Sequence, residues 1–369
     1  MKFDELVESI STAATNLENG TEDYLPMPDG LGEISKSWFR GRIRGQLTCI
    51  TGGTSSGKTS LYKYIIFETI RWAIKRKKNY KVLLFLLEES VEEFEYSLLS
   101  YLLFRAKKRR YNIEHFLGIG KSVKKEHLEE LKELSDTYKL FRSYFIIEDS
   151  IYNTFGIWKS IRAYARNNGK FLFRGKELTQ EQLDAGEKWT SYEANDKDSH
   201  VEVVVDHISE IVKQSGQATE ADAMADCVRD MRTLAAKKLR YYVFIIQQQM
   251  LQMESLEHIK ESMMYASIQG LGDNKRLARA YHNMIGITDP NRYGLKIATT
   301  NTGNYKIDQL GSYQRVIGIL KKRFGISNRR DIAFFDGCCG IFDNMPKHDT
   351  NDYKELLTRI KEYEAEIAQ

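Results

Sequence analysis

One stretch, Gly52-Gly53-Thr54-Ser55-Ser56-Gly57-Lys58-Thr59, constrains this chain more than any other. It follows the apolar run Leu47-Thr48-Cys49-Ile50 and opens a helix-forming run, residues 60–72, that carries Leu61, Ile65 and Ile66. The spacing is G-x-x-x-x-G-K-[ST] with a strand before and a helix after, the context that the pattern requires. Glycines let the backbone wrap a phosphate with its N–H groups turned inward, and the helix N-terminus adds a favourable dipole. Residues Gly52, Gly53, Thr54, Ser55, Ser56, Gly57, Lys58, Thr59 and Ser60 are therefore expected to form a phosphate cradle. Lys58 would reach the β- and γ-phosphates, and the Thr59 hydroxyl would ligate Mg²⁺. The bland alternative is a glycine turn that happens to precede a helix; the match at every position and on both flanks weighs against it. The implied cofactors are ATP, or another NTP or dNTP, and Mg²⁺.

Strand–helix alternation continues beyond this loop. Lys81-Val82-Leu83-Leu84-Phe85-Leu86-Leu87 reads as a buried parallel strand ending at Glu88-Glu89-Ser90. Residues 91–104 read as the next helix, closing in Lys107-Lys108-Arg109-Arg110. That basic cluster could meet nucleic acid, but a solvated helix end beside its favourable dipole is the simpler expectation. Further strands are Tyr144-Phe145-Ile146-Ile147, Val201-Glu202-Val203-Val204-Val205 and residues 241–246, the last running into Gln247-Gln248-Gln249. Residues 122–138, 157–167 and 221–239 read as helices, and residues 316–320 and 332–335 as late antiparallel strands. The expectation is an α/β fold with a mainly parallel sheet, whose ligands gather at the carboxyl ends of the strands.

At 369 residues the chain is long enough for one large α/β domain or two smaller ones. No apolar run is long enough to span a bilayer, and Met1-Lys2-Phe3-Asp4-Glu5 lacks the basic-then-apolar order of a signal peptide. A cytoplasmic chain with no membrane partner is expected. Cys49, Cys227, Cys338 and Cys339 form no C-x-x-C pair, so neither zinc nor a disulfide framework is expected. The net charge of +4 permits a polyanionic partner without requiring one. Residues 1–24 are expected to be an amphipathic helix and linker, with Phe3, Leu6, Val7, Ile10 and Leu17 at helical spacing. The turn signals of Pro26, Pro28, Gly30 and Gly32 extend that linker reading over residues 20–40. The ATPase domain is placed at 25–345, with a polar surface insertion at about 170–199 that holds a hairpin. Residues 346–369 read as a C-terminal helix whose face (Tyr353, Leu356, Leu357, Ile360, Tyr363, Ile367) packs on the domain or recruits a partner.

Hydrolysis needs more than a cradle. Asp206, ending the Val203-Val204-Val205 run, is placed to hold Mg²⁺ beside Thr59. Its bland alternative is an ordinary acidic strand end. The next residue is His207 rather than a glutamate, so the base that activates water must come from elsewhere. Glu88 would lie along the same sheet edge; Glu89 is its rival, with helix N-terminal stabilisation as the alternative role.

Leu87-Glu88-Glu89-Ser90-Val91-Glu92-Glu93 and Val205-Asp206-His207-Ile208-Ser209 resemble the hexameric replicative helicases of the RecA/DnaB superfamily, nearest the phage helicase–primase and Twinkle branch. The likeness runs from about residue 25 to 345. It implies a RecA-like P-loop core, Glu88 as the catalytic base, and Gln248 as the γ-phosphate sensor, with Gln247 as the alternative register. Ile319-Leu320-Lys321-Lys322-Arg323-Phe324 is similar to the family's K-x-R element, which implies Arg323 as a finger inserted into a neighbour's site, with Lys321 alongside. It further implies a homo-oligomeric ring of six or seven subunits, single-stranded DNA threaded along central loops at 212–222 and 250–274, and polymerase, primase or other replisome proteins as partners. The family's primase domain and zinc module have no counterpart here.

The loops themselves are weakly basic. The first has only Lys213 before it; the second has Lys260 and, as a stacking platform, Tyr265. Lys275 and Arg276, with Arg279, would compensate, or would face solvent on a helix. The leading expectation is an NTP-driven, phage-type helicase moving 5′→3′. The alternatives are a RecA-like ATPase with a structural, recombination or partner-loading role, and a DNA-packaging motor.

Overall fold

The computed structural model describes residues 3–19, 24–38, 41–250 and 264–368. At its centre is a nine-stranded sheet. In chain order the strands are β1 (Leu47–Gly52), β2 (Tyr80–Leu86), β3 (Phe145–Glu148), β4 (His200–Asp206), β5 (Tyr242–Gln248), β6 (Asn283–Thr288), β7 (Gln314–Lys321), β8 (Arg329–Asp336) and β9 (Ile341–Asn344). In space they lie in the order β9-β8-β7-β6-β1-β5-β4-β2-β3. From β6 to β3 all neighbours are parallel, while β7, β8 and β9 are added antiparallel. The α/β expectation, with antiparallel strands late in the chain, matches this arrangement.

β1 and β4 are buried at every position, because helices cover both faces of the sheet and each side chain must find apolar company whichever way it points. Alternate residues feed two cores. Ile50, Leu84, Val204 and Ile246 pack with Leu61, Ile65, Phe94 and Leu98 from the helices Lys58–Arg76 and Val91–Lys107. Cys49, Leu83, Val203 and Ile245 pack on the other face with Ile157, Ile161, Cys227 and Val228 from Thr154–Asn167 and Glu220–Asp230. Ser90 and Glu93 form a capping box that starts the helix directly after Glu88 and Glu89. No helix among the described residues is long and apolar enough to cross a membrane.

One buried polar cluster interrupts the apolar interior. Glu202 in β4 is fully buried and bonded to Arg42 and to the Tyr80 hydroxyl, while Arg42 Nη2 donates to Thr69 Oγ1 at 2.7 Å. Removing one partner strands the other charge without solvent, so Glu202→Ala is expected to cost about 3–5 kcal/mol. Replacing both, as Arg42→Met with Glu202→Leu, should recover most of that loss. Urea denaturation checks both; a loss below about 1 kcal/mol for the single variant, within the range of an exposed pair, would show that the pair is not desolvated in solution.

Several segments differ from the sequence expectation. The described part of the linker, residues 24–38, is part of the core: Tyr24–Pro26 pairs with Gly41–Ile43, and Leu25, Met27, Leu31, Ile34 and Trp38 are buried. Prolines and glycines signalled turns correctly, but the apolar residues between them are too short a run to show periodicity. The insertion is more than a hairpin. Gly169–Phe173, Lys176–Glu177 and Ser191–Ala194 form a small antiparallel sheet, the helix Gln180–Asp184 lies between the last two, and Phe171, Leu178, Leu183 and Trp189 are buried. β6, split by Gly286, gave no strand signal; its pairing with β1 and β7 makes it one. The C-terminal helix Asn351–Ala368 packs on its own domain, burying Tyr353, Leu356 and Ile360 against Tyr305, Leu310, Tyr313 and Phe334. At the other end, Phe3, Val7 and Ile10 of the helix Phe3–Asn19 are exposed.

Candidate nucleotide site

The phosphate loop leaves β1 at Gly52 and enters the helix Lys58–Arg76 at once. Its shape depends on two glycines. A Cβ on Gly52 would lie 2.3 Å from the Ile287 carbonyl oxygen, and Gly57 adopts φ 98°, a left-handed conformation that other residues rarely take. The Lys58 ammonium donates to the Gly53 carbonyl at 2.7 Å, so it is folded over the loop it serves. Two arginines brace the loop from outside: Arg315 Nε donates to Ser56 O at 2.8 Å, and Arg292 donates to Thr54 O. Arg315 is itself buried, lies 3.3 Å from Asp289, and sits 4.4 Å above the Phe335 ring. Neither arginine carried a sequence signal, since each is more than two hundred residues from the loop that it touches.

Parallel pairing brings the other candidates to the same sheet edge. β5 pairs Gln248 with Gly52, and β2 pairs Leu86 with Asp206. The Thr59 hydroxyl donates to Asp206 Oδ2 at 3.1 Å. Asp206 is buried; burial, and then the nearby Glu89 carboxylate, push its carboxyl up to about 7, against the opposing pull of Lys63. Its second oxygen, Oδ1, is buried with no hydrogen-bonding partner. A carboxylate with one oxygen committed to a hydroxyl and the other turned into a polar edge is a donor set suited to a hydrated Mg²⁺. Thr59 and Asp206 therefore fit the cation that the loop pattern implies.

The two glutamates separate. Glu89 points inward, accepting from Lys63 Nζ at 2.7 Å and from the Tyr62 hydroxyl at 3.5 Å. Glu88 is 61% exposed on the rim, with His207 Nε2 3.1 Å from its carboxylate. His207 is buried, and its Nδ1 has no hydrogen-bonding partner. The three glutamines separate as well. Gln248 Nε2 donates to Thr54 Oγ1 at 2.7 Å, over the phosphate loop. Gln247 faces the other side of the sheet and accepts from the Tyr281 hydroxyl at 2.9 Å. Gln249 ties Thr51 to Ser267, anchoring the chain on either side of residues 251–263.

Arg323 and Lys321 are not at this edge. β7 is antiparallel to β6, so its start lies beside the phosphate loop and its end lies far from it: Val316 pairs with Thr288, and Lys321 with Met284. Arg323 N–H donates to the Asn283 side chain, level with the start of β1. The span of β1 at 3.3 Å per residue puts Arg323 about 17 Å from its own loop along the strands. Lys321 Nζ is spent on the carbonyls of Ala278 and Tyr281, each at 2.7 Å, whereas Arg323 is exposed. Beside them His282 accepts from the Leu47 N–H at 2.9 Å. Burial, with the charges of Arg323, Arg232 and Lys321, drives its imidazole down to about 4, so it is neutral near pH 7. Positive charge at this far edge is thus poorly compensated.

Of the residues expected to meet DNA, Lys260 lies outside the described residues, and of Lys275 only the backbone is described, in the 3₁₀ segment Gln269–Arg279. Arg276 and Arg279 are exposed on that segment. Tyr265, expected as a stacking platform, is covered by Arg330, whose guanidinium lies 3.8 Å from the ring centre.

No protein-family model and no curated protein sequence matches the chain. Among solved structures it is similar to the ATPase domain of another helicase, with a TM-score of 0.61, 15% identity, and 92% of this chain and 99% of that one covered. It is similar also to a DnaB-like replicative helicase described with its interactions with primase, with a TM-score of 0.60, 16% identity, and 92% of this chain and 66% of that one covered. Phosphate loop, sheet order and these similarities converge on one architecture: the chain is an α/β protein with the RecA-like P-loop fold of DnaB-like helicase ATPase domains.

Proposed function

We propose that this protein is an NTP-hydrolysing motor that assembles into a ring, moves 5′→3′ on single-stranded DNA and separates duplex strands, as in phage-type replication. The observation that carries this reading is the division of the catalytic groups between two sheet edges. Lys58, Thr59, Glu88, Asp206 and Gln248 gather at one edge, while Arg323 projects from the other, about 17 Å away by strand rise. An arginine so placed cannot serve its own phosphate loop, but in a head-to-tail ring it meets the loop of the next subunit. In the proposed reaction Lys58 leaves the Gly53 carbonyl for the phosphates, and Thr59 and Asp206 hold Mg²⁺, which neutralises charge on the β- and γ-oxygens. Glu88 accepts the proton of the attacking water, held in place by His207. Gln248 lies beside Thr54, where it can report on the terminal phosphate. Glu89 is the weaker candidate for the base because the Lys63 ammonium already claims its carboxylate.

A second reading, a RecA-like ATPase with a structural or partner-loading role, is favoured by the covering of Tyr265 by Arg330 and by the single lysine, Lys213, next to the first loop. A forked duplex separates the two. Wild type is expected to part the strands and Glu88→Gln to fail. Brisk NTP turnover by wild type, with neither strand separation nor stimulation by single strands, would reject the helicase reading for the second.

A further inference from the structure

Beyond the nucleotide site, the largest unassigned feature is a concentration of positive charge. The run Lys107-Lys108-Arg109-Arg110 is only in part a solvated helix end. Lys107 pairs with Glu133, Arg109 with both oxygens of Glu130, and Arg110 with both oxygens of the buried Asp336. After these pairings the chain turns back through the short helix Ile113–Leu117 and encloses a cavity of about 590 Å³. Five cationic side chains line it: Lys108, Arg109, Arg110, Lys121 and Lys124. His115 and His127 complete the wall, and no Asp or Glu lines it.

The wall is charged rather than merely polar. Neither Lys108 nor Lys124 forms an ion pair among the described residues; the Lys108 ammonium lies 5.2 Å from the centre of the Phe104 ring. Burial, then Lys121 and Arg110, hold the His115 imidazole below its ordinary value, against the weaker pull of Glu114. Tyr111 is buried, with its hydroxyl 2.6 Å from His127 Nδ1, so it offers no open face for stacking. Cations converging on a concavity focus the field toward its mouth, and an anion with several oxygens relieves their mutual repulsion. With no stacking platform, the site is suited to phosphates rather than bases.

We propose that this cavity is a second phosphate-binding site, taking either the phosphates of a nucleic-acid backbone or a free polyphosphate. It is built wholly from residues 108–127, so it is distinct from the phosphate loop and from the segments 212–222 and 250–274, and it does not rest on the helicase reading.

The test uses the full chain carrying Lys108→Glu, Lys121→Glu and Lys124→Glu, all exposed positions, with thermal melting as the folding control. A Lys108→Gln, Lys124→Gln variant serves if the triple variant melts early. Anisotropy of a labelled single-stranded oligonucleotide is followed across a salt series, and tripolyphosphate binding is followed by calorimetry. If the ligand is a nucleic-acid backbone, the triple variant binds the oligonucleotide at least tenfold more weakly, and its slope of log affinity against log salt falls by about 2. If the ligand is a free polyphosphate, oligonucleotide binding is unchanged and the heat with tripolyphosphate disappears. Unaltered binding of both probes overturns the proposal.

Discussion

Glu88→Gln is expected to lower NTP turnover by roughly 10²–10⁴-fold, the usual contribution of a positioned general base, while nucleotide still binds. The change is nearly isosteric, and Glu88 is on the rim, so neither the core nor the phosphate loop should move. The amide can still meet His207 Nε2, but it cannot accept a proton from water. Turnover in a phosphate-release assay should fall while a fluorescent nucleotide analogue binds as in wild type. Glu89→Gln is the control that gives the comparison its meaning. That change removes the partner of the buried Lys63 ammonium, so its main effect should be on stability and nucleotide affinity. If Glu89→Gln abolishes turnover at full nucleotide binding and Glu88→Gln does not, the two assignments are exchanged.

The second large effect concerns assembly. Arginine fingers contribute about 10³–10⁵-fold to turnover in P-loop enzymes, and Arg323→Ala should lose a comparable factor. Its position predicts how that loss is repaired. An Arg323→Ala subunit keeps an intact phosphate loop; a Lys58→Ala subunit keeps an intact arginine. In a ring with head-to-tail interfaces, an equal mixture of the two places an intact loop opposite an intact arginine at about a quarter of the interfaces. Mixing two inactive proteins should therefore restore a measurable part of wild-type turnover. Failure to recover, with mixed rings demonstrated by differently tagged subunits, would mean that Arg323 does not act on a neighbour. Lys321 is predicted to differ: its ammonium ties two backbone carbonyls of its own chain, so Lys321→Ala should disturb the placement of Arg323 rather than charge at the phosphate.

By itself the sequence determined the features that are local. The phosphate loop was legible because its glycines, lysine and threonine are contiguous, and so was the run of strands that ends at Glu88, Asp206 and Gln248. Strand order could not be read from spacing, yet each of those residues was rightly expected at the carboxyl edge, since parallel strands all present that end to one side. Tertiary structure decided everything that depends on which surface an element meets. Successive residues of β5 face opposite sides of the sheet, so only pairing with β1 sends Gln248 to Thr54 and Gln247 to Tyr281. Periodicity gave the C-terminal helix an apolar face, and the fold supplied the cover, Tyr305 through Phe334. Arg315 and Arg292 stayed hidden because long-range contacts leave no spacing to detect. The basic run at 107–110 announced charge, but only the turn of the chain that brings Lys121 and Lys124 back to it made a cavity of that charge.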